Sequence, residues 1–553
     1  MRNGDKTRKG LHCSFASRRL FVVAVVCVVT LATVTTAFAS PPTVTTASGV
    51  VIGRKATGMN QFLGIPYAVP PVGSLRWTPP QAYGTFPGGT LHATQFGNIC
   101  PQASGATVIG NEDCLYLNVY SPASGGSNLP VMVWIHGGGL IEGASNSYNP
   151  QWLVKEGVIV VSLNYRLGYL GFFAQTSIDA EGHEAGNYGL MDQQLALQWV
   201  QTNIAAFGGD PTHVTIFGQS AGGQSVYAQL ASPTAAGLFS GAIAESGSYE
   251  EFQPYLQYVV PLPDGESNSA PYNSPTVPTG ETLANDVGCG DPAPSVCLRA
   301  IPAPYFVAFE VFPIFPFVDG VLLTNTIAGA FASGAFNQVP VISGTNEDEY
   351  RLFVAESFDL QGNPILTPTE YQNAVEALFP APLVPYVLGV YSFSAYPTGG
   401  QALGAAATDG AFSCPVRNAN QLLSAYVPTY AYEFADENAP PAQSDFGPPL
   451  SYPLTFPLGA YHASEVQYLF KGFDLFGLPI PTPLAPSQTH LSKDMLLYWT
   501  QFAKTGNPNI SPKPVWPAYN VSTDLFLQLI EPKPVAISSF AAEHLCNLLW
   551  NVL

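Results

Sequence analysis

The segment from Phe207 to Gly222, FGGDPTHVTIFGQSAG, constrains the fold more than any other part of this chain. Val214 to Phe217 is a short apolar run, rich in residues that favour a buried strand. Gly218-Gln219-Ser220-Ala221-Gly222 follows at once, and no proline interrupts the chain again until Pro233, so a helix can follow. Strand, sharp turn, serine, helix is the geometry of a nucleophile elbow, which lifts a serine hydroxyl out of a sheet. The flanking glycines fit a turn in which a Cβ would collide with neighbouring backbone.

Other apolar runs of strand length are Val131–His136, Val158–Leu163, Gly241–Glu245, Val339–Gly344 and Tyr430–Phe434. Gly189–Ala206 and Ser487–Thr505 read as helices closed by Gly208-Gly209 and by Gly506. Strands alternating with helices predict an α/β fold, with a large, mostly parallel sheet covered by helices on both faces. Proline-rich stretches at 250–280 and 435–460 read as long loop insertions, and such loops often shape binding sites. No linker divides the chain, so one domain over 40–553 is expected.

The first 39 residues stand apart. Arg2, Lys6, Arg8, Lys9, Arg18 and Arg19 form a basic region ahead of the apolar stretch Leu20–Leu31, and Ala37-Phe38-Ala39 has the A-x-A form of a cleavage site. This is the pattern of a cleaved export signal, and the apolar stretch is short for a membrane span. Ser17-Arg18-Arg19-Leu20-Phe21 also has the look of a twin-arginine signal. A secreted or periplasmic protein is therefore expected, with no stable membrane insertion after cleavage. Without residues 1–39 the chain holds 13 basic and 37 acidic side chains, a net charge of −24, which argues against nucleic acid as a partner. Six cysteines remain, an even number that reads as three disulfides in an exported protein. No metal-binding motif occurs, and neither a metal nor a cofactor is expected.

A serine hydroxyl is a weak nucleophile and needs a base, an orienting acid and an oxyanion site. His136-Gly137-Gly138-Gly139 follows a predicted strand and matches the HGGG element whose backbone N–H groups form an oxyanion hole; the N–H of Ala221 would complete it. For the acid, Glu347, Asp348 and Glu349 are adjacent, and the residues alone do not choose among them. For the base, His462, His490 and His544 all lie downstream.

Further segments carry a family likeness. Gly64-Ile65-Pro66-Tyr67-Ala68 with Pro70-Pro71-Val72-Gly73, Glu112 to Val119, Asn164-Tyr165-Arg166 and Gly186 to Leu190 occur in order with the elbow. With these motifs the chain resembles the type-B carboxylesterases, the group that includes cholinesterases and fungal lipases, over nearly all of the mature chain. The resemblance implies an α/β-hydrolase fold and a triad of Ser220, Glu349 and His462, with an oxyanion hole from Gly138, Gly139 and Ala221. It implies the disulfides Cys100–Cys114, Cys289–Cys297 and Cys414–Cys546. It also implies structural ion pairs between Arg76 and Glu112 and between Arg166 and Asp192. Two departures bear on substrate. The Cys100–Cys114 loop holds only thirteen residues and no tryptophan, and Gln219 stands where the family usually has glutamate. Both point to a small or medium neutral ester rather than a choline ester or a long triglyceride. The alternatives are a lipase on longer acyl esters and a non-catalytic adhesion protein, and the second of these conflicts with the intact triad positions.

Overall fold

The apolar runs form the middle of an eleven-stranded sheet. The computed structural model describes residues 40–183, 186–247, 280–290, 293–308, 314–440, 454–470, 472 and 483–550. The expected export signal, with Cys13 and Cys27, lies outside them, as does most of the 250–280 loop. In chain order the strands are β1 (Arg54–Ala56), β2 (Met59–Pro66), β3 (Tyr116–Pro122), β4 (Leu129–Ile135), β5 (Ile159–Leu163) and β6 (Gly209–Gln219). Then follow β7 (Gly241–Glu245), β8 (Val341–Asn346), β9 (Thr429–Phe434), β10 (Phe526–Leu529) and β11 (Val535–Ile537). Their spatial order is β11-β10-β9-β8-β7-β6-β4-β5-β3-β2-β1. The run from β10 to β5 is parallel throughout. Antiparallel strands complete both edges.

Side chains alternate between the two faces of a strand, so a strand buried on both sides must be apolar at every position. β4 obeys this rule: Val131, Val133 and Ile135 enter one core, while Met132 and Trp134 enter the other. β6 divides in the same way, with Val214 and Ile216 on the first side and Phe217 on the second. Helix α1 (Tyr188–Asn203) and helix α2 (Ala221–Ala231) pack into the first core through Leu197, Val200, Val226 and Leu230. Helix α3 (Arg351–Ser357) and the long α4 (Pro486–Thr505) cover the second through Leu352, Met495, Trp499 and Phe502. Each such side chain contributes about 1.5–3 kcal/mol on full burial, which holds helices to both faces.

This layering places three chain segments at one end of the sheet. His136 follows β4, Ser220 follows β6, and Glu349 lies in the turn after β8. Open α/β sheets bind ligands just outside the carboxyl ends of their strands, and these residues occupy that end. None of the described helices is long and apolar enough to cross a membrane.

Candidate active site

Ser220 sits between β6 and α2 with φ 57° and ψ −127°, a conformation that a non-glycine residue rarely adopts. The strain is held from both sides. Its N–H donates to the Glu245 carbonyl at 2.9 Å, and its carbonyl accepts from Gln224 N–H at 2.8 Å. The tight turn explains Gly222, where a Cβ would lie 2.0 Å from the Ile135 carbonyl oxygen. Ala221 opens α2, so its N–H belongs to the partly positive helix N-terminus.

The glycine run after β4 lies beside the elbow. A Cβ on Gly137 would meet the Gln219 carbonyl oxygen at 2.7 Å and the Ser220 Cβ at 3.0 Å. Burial pushes His136 down to about 4, so its ring is neutral at physiological pH. Its Nδ1 lies 2.8 Å from the Gly137 carbonyl and can donate to it. Because a peptide group is planar and trans, fixing that carbonyl fixes the Gly138 N–H in the opposite direction. Tyr165 stacks on the His136 ring at 4.4 Å and donates its hydroxyl to the His136 carbonyl at 2.8 Å.

His462 brings its Nδ1 to 2.6 Å from Glu349 Oε2. The other oxygen of Glu349 accepts from Thr345 Oγ1 at 2.8 Å and from the Asn346 N–H at 2.7 Å. Glu349 is fully buried and His462 nearly so. Phe353 and Phe412 pack against the imidazole at ring distances of 4.9 and 5.1 Å. The neighbouring acids face elsewhere. Asp348 pairs with Arg351 at 2.7 Å, and the Glu347 carboxyl is pushed up to about 8 by burial and then by the charge of Glu433. Of the other histidines, His490 is exposed on α4, and His544 is buried between Asp409 and Glu433.

Ser220, His462, Gly138, Gly139 and Ala221 line one cavity of about 290 Å³. Its remaining walls are largely apolar, with Ile141, Ile314, Phe315, Leu352, Phe353 and Phe412. The Nε2 of His462 lies 3.3 Å from the side-chain nitrogen of Gln219. With the Nδ1 proton on the Glu349 side, that nitrogen of the ring is free to accept a proton.

A match to the carboxylesterase family model extends over residues 40–548. The chain belongs to the carboxylesterase family. Among the relatives of this carboxylesterase is the cocaine esterase of Oryctolagus cuniculus, 35% identical over 500 residues that cover 85% of this chain and 88% of that one. The para-nitrobenzyl esterase of Bacillus subtilis is 34% identical over 87% of this chain and 93% of its own. Carboxylesterase 1D of Rattus norvegicus is 35% identical over 87% and 88%. The enzyme is a hydrolase of carboxylic esters with an α/β-hydrolase fold.

Disulfides join Cys100 to Cys114, Cys289 to Cys297 and Cys414 to Cys546. Arg76 grips Glu112 through two bonds of 2.6 and 2.7 Å, and Arg166 grips Asp192 through two of 2.8 and 2.9 Å. Arg166 and Asp192 are both buried, a geometry in which removal of one partner is costly.

Two buried acids near Glu349 escaped the sequence reading. Burial raises the Glu245 carboxyl to about 8, and one of its oxygens accepts from Trp499 Nε1 at 2.7 Å. Glu465 is raised far above the usual carboxylate range, first by burial and then by the charges of Glu349 and Glu245; it accepts from Asn346 Nδ2 at 2.6 Å. Burial thus disfavours the charged form of both acids beside Glu349. Glu465 stands in the segment that supplies His462, yet nothing in its spacing marks it as a partner of Asn346. Only the fold brings the two together.

Proposed function

We propose that this carboxylesterase acts through an acyl-enzyme formed on Ser220. The Glu349–His462 contact of 2.6 Å, behind a cavity that His462 lines together with Ser220 and the glycine run, carries this reading. Glu349 holds the imidazole with its proton on Nδ1, so Nε2 can take the Ser220 proton as Oγ attacks the ester carbonyl. For this step the hydroxyl of Ser220 replaces the Gln219 amide at Nε2. The carbonyl oxygen, now negative, is received by the N–H groups of Gly138, Gly139 and Ala221. His462 then protonates the departing alcohol, and water, activated by the same imidazole, releases the acid.

The apolar walls and the cavity of about 290 Å³ favour a small to medium neutral ester over a long triglyceride. A profile of kcat/KM across p-nitrophenyl esters of increasing acyl length tests this. A maximum at short to medium chains is expected. Interfacial activation on emulsified long-chain triglyceride would favour the lipase reading instead.

The enzyme is proposed to be exported as one domain over 40–553 after cleavage behind Ala39. The three disulfides support an oxidising destination. N-terminal sequencing of the exported protein is expected to begin at Ser40.

A further inference from the structure

One wall of the Ser220 cavity takes its support from far away in the chain. Phe412 lines the cavity and packs on the His462 imidazole at 5.1 Å, with Phe353 beside it at 4.9 Å. Phe353 belongs to α3, a regular helix. Phe412 belongs to Asp409–Ser413, a single π-helical turn. Such turns are rare and recur at functional sites.

The C-terminal segment holds this turn at three points. His544 Nδ1 lies 2.6 Å from Oδ1 of Asp409, the first residue of the turn. A Cβ on Gly410 would meet the Trp550 ring at 2.7 Å, so the indole lies against the backbone of the turn. The Cys414–Cys546 disulfide ties down the residue that follows the turn. The segment itself rests on the sheet. Phe540 stacks on Phe526 of β10 at 3.8 Å, and His544 Nε2 lies 2.7 Å from Oε1 of Glu433 on β9. Gln528 of β10 donates to the other oxygen of Glu433 at 2.9 Å. The Tyr391 hydroxyl donates to the other oxygen of Asp409 at 2.7 Å and accepts from Trp550 Nε1 at 2.8 Å. Asp409, Glu433 and His544 are all buried. A buried charge that moves off its partner is left desolvated and unpaired, so this bridge resists displacement.

We propose that His544 is a positioning residue for the esterase site: by bridging Glu433 of the sheet to Asp409 of the π-helical turn, it sets Phe412 against His462 and so fixes the width of the cavity. This rests on the reading of Ser220 and His462 as nucleophile and base. The two ring nitrogens of His544 face Asp409 and Glu433, so it acts on the site through Phe412 and not by contact. A purely structural ion bridge would contribute to stability alone. A positioning bridge also decides which esters the cavity admits. One methylene in an apolar pocket changes discrimination by about 10- to 200-fold, so a small displacement of the Phe412 ring is visible in specificity.

The test compares p-nitrophenyl octanoate with p-nitrophenyl butyrate, which differ on the acyl side, and octyl butyrate with ethyl butyrate, which differ on the alcohol side. For each pair the long-to-short ratio of kcat/KM is measured well below the melting midpoint of the variant. Phe412→Ala opens space on the wall and should raise one of the two ratios by about tenfold. His544→Gln should raise the same ratio by about threefold or more. In Phe412→Ala/His544→Gln the ratio should not exceed that of Phe412→Ala, because the effect of His544 passes through a ring that is no longer there. If His544→Gln does not fold, Trp550→Leu takes its place: it leaves the Asp409–His544–Glu433 bridge intact but removes the indole from Gly410, and the same shift is expected. A folded variant of this clamp with both ratios at wild-type values overturns the proposal. So does an effect of the clamp variant that adds in full to that of Phe412→Ala, or a Phe412→Ala enzyme with neither ratio changed. Hydrolysis of p-nitrophenyl butyrate that survives in Ser220→Ala would overturn the underlying reading instead, so the two failures are distinct.

Discussion

Gly138→Ala tests the oxyanion assignment at the level of a single Cβ. Gly138 has φ 106°, outside the region an alanine readily adopts. A Cβ there would lie 2.3 Å from the Glu142 carbonyl oxygen and 2.7 Å from its carbon. Both obstacles are backbone, so no rotamer change relieves them. Reaching an ordinary contact of 3.4 Å from 2.3 Å requires a shift of about 1.1 Å. The turn that must move is closed by the N–H groups of Ile141 and Glu142, which both donate to the Gly138 carbonyl at 3.0 Å. A donor displaced by about 1 Å leaves hydrogen-bond range, and the loss of one oxyanion donor costs about 2.7–4 kcal/mol in the transition state, or on the order of 10²–10³ in kcat. The assay is steady-state hydrolysis of p-nitrophenyl butyrate, with a thermal melt to establish folding. A large fall in kcat with little change in KM is expected. A folded variant that keeps kcat within about threefold of the wild type would refute the reasoning.

Glu349→Gln should lower kcat by about 10⁴ with KM little altered. Thr345 and the Asn346 N–H claim one oxygen, so a glutamine would turn its NH₂ toward His462 Nδ1 and move the ring proton to Nε2. Retention of more than about a tenth of kcat would contradict this. His544→Gln should destabilise the enzyme by about 3–5 kcal/mol in chemical denaturation, because it leaves the buried Asp409 and Glu433 without their shared cation. His544 is raised well above its ordinary value: burial lowers it, but the two carboxylates outweigh that, Asp409 first, and Asp409 is itself raised by burial. A raised pKa means that the folded state binds protons more tightly, so this stability is complete below about pH 6.5 and is lost as pH climbs through the folded value. The wild type should therefore lose stability on the alkaline side more steeply than the variant; parallel pH profiles would contradict the account. Cys414→Ser/Cys546→Ser opens a link across 132 residues of sequence and should cost about 2–5 kcal/mol, read as a lower unfolding midpoint.

The parts that were legible in the sequence are those where chemistry demands an unusual backbone. The Ser220 turn and the glycine run announce themselves because only glycine fits so close to neighbouring backbone at Gly137, Gly138, Gly218 and Gly222. The central strands were legible because burial on both faces forces unbroken apolar runs, as in β4. The acid was harder. Glu347, Asp348 and Glu349 are consecutive carboxylates, and the turn after β8 sends them to three different surroundings. Their partners lie elsewhere in the chain, so adjacency carries no information about which one meets His462. The edge strands β1 and β11 are three residues each, too short to show a period. Glu465 illustrates the same limit: it shares a segment with His462, yet only the fold brings it to Asn346.

The central claim is that Ser220 carries the acyl group. Treatment with a fluorophosphonate, followed by peptide mass mapping, tests it most directly. The account predicts one adduct, on the peptide that contains Ser220, formed in step with loss of esterase activity and absent from Ser220→Ala. An adduct on another residue, or full labelling and turnover in Ser220→Ala, would contradict it.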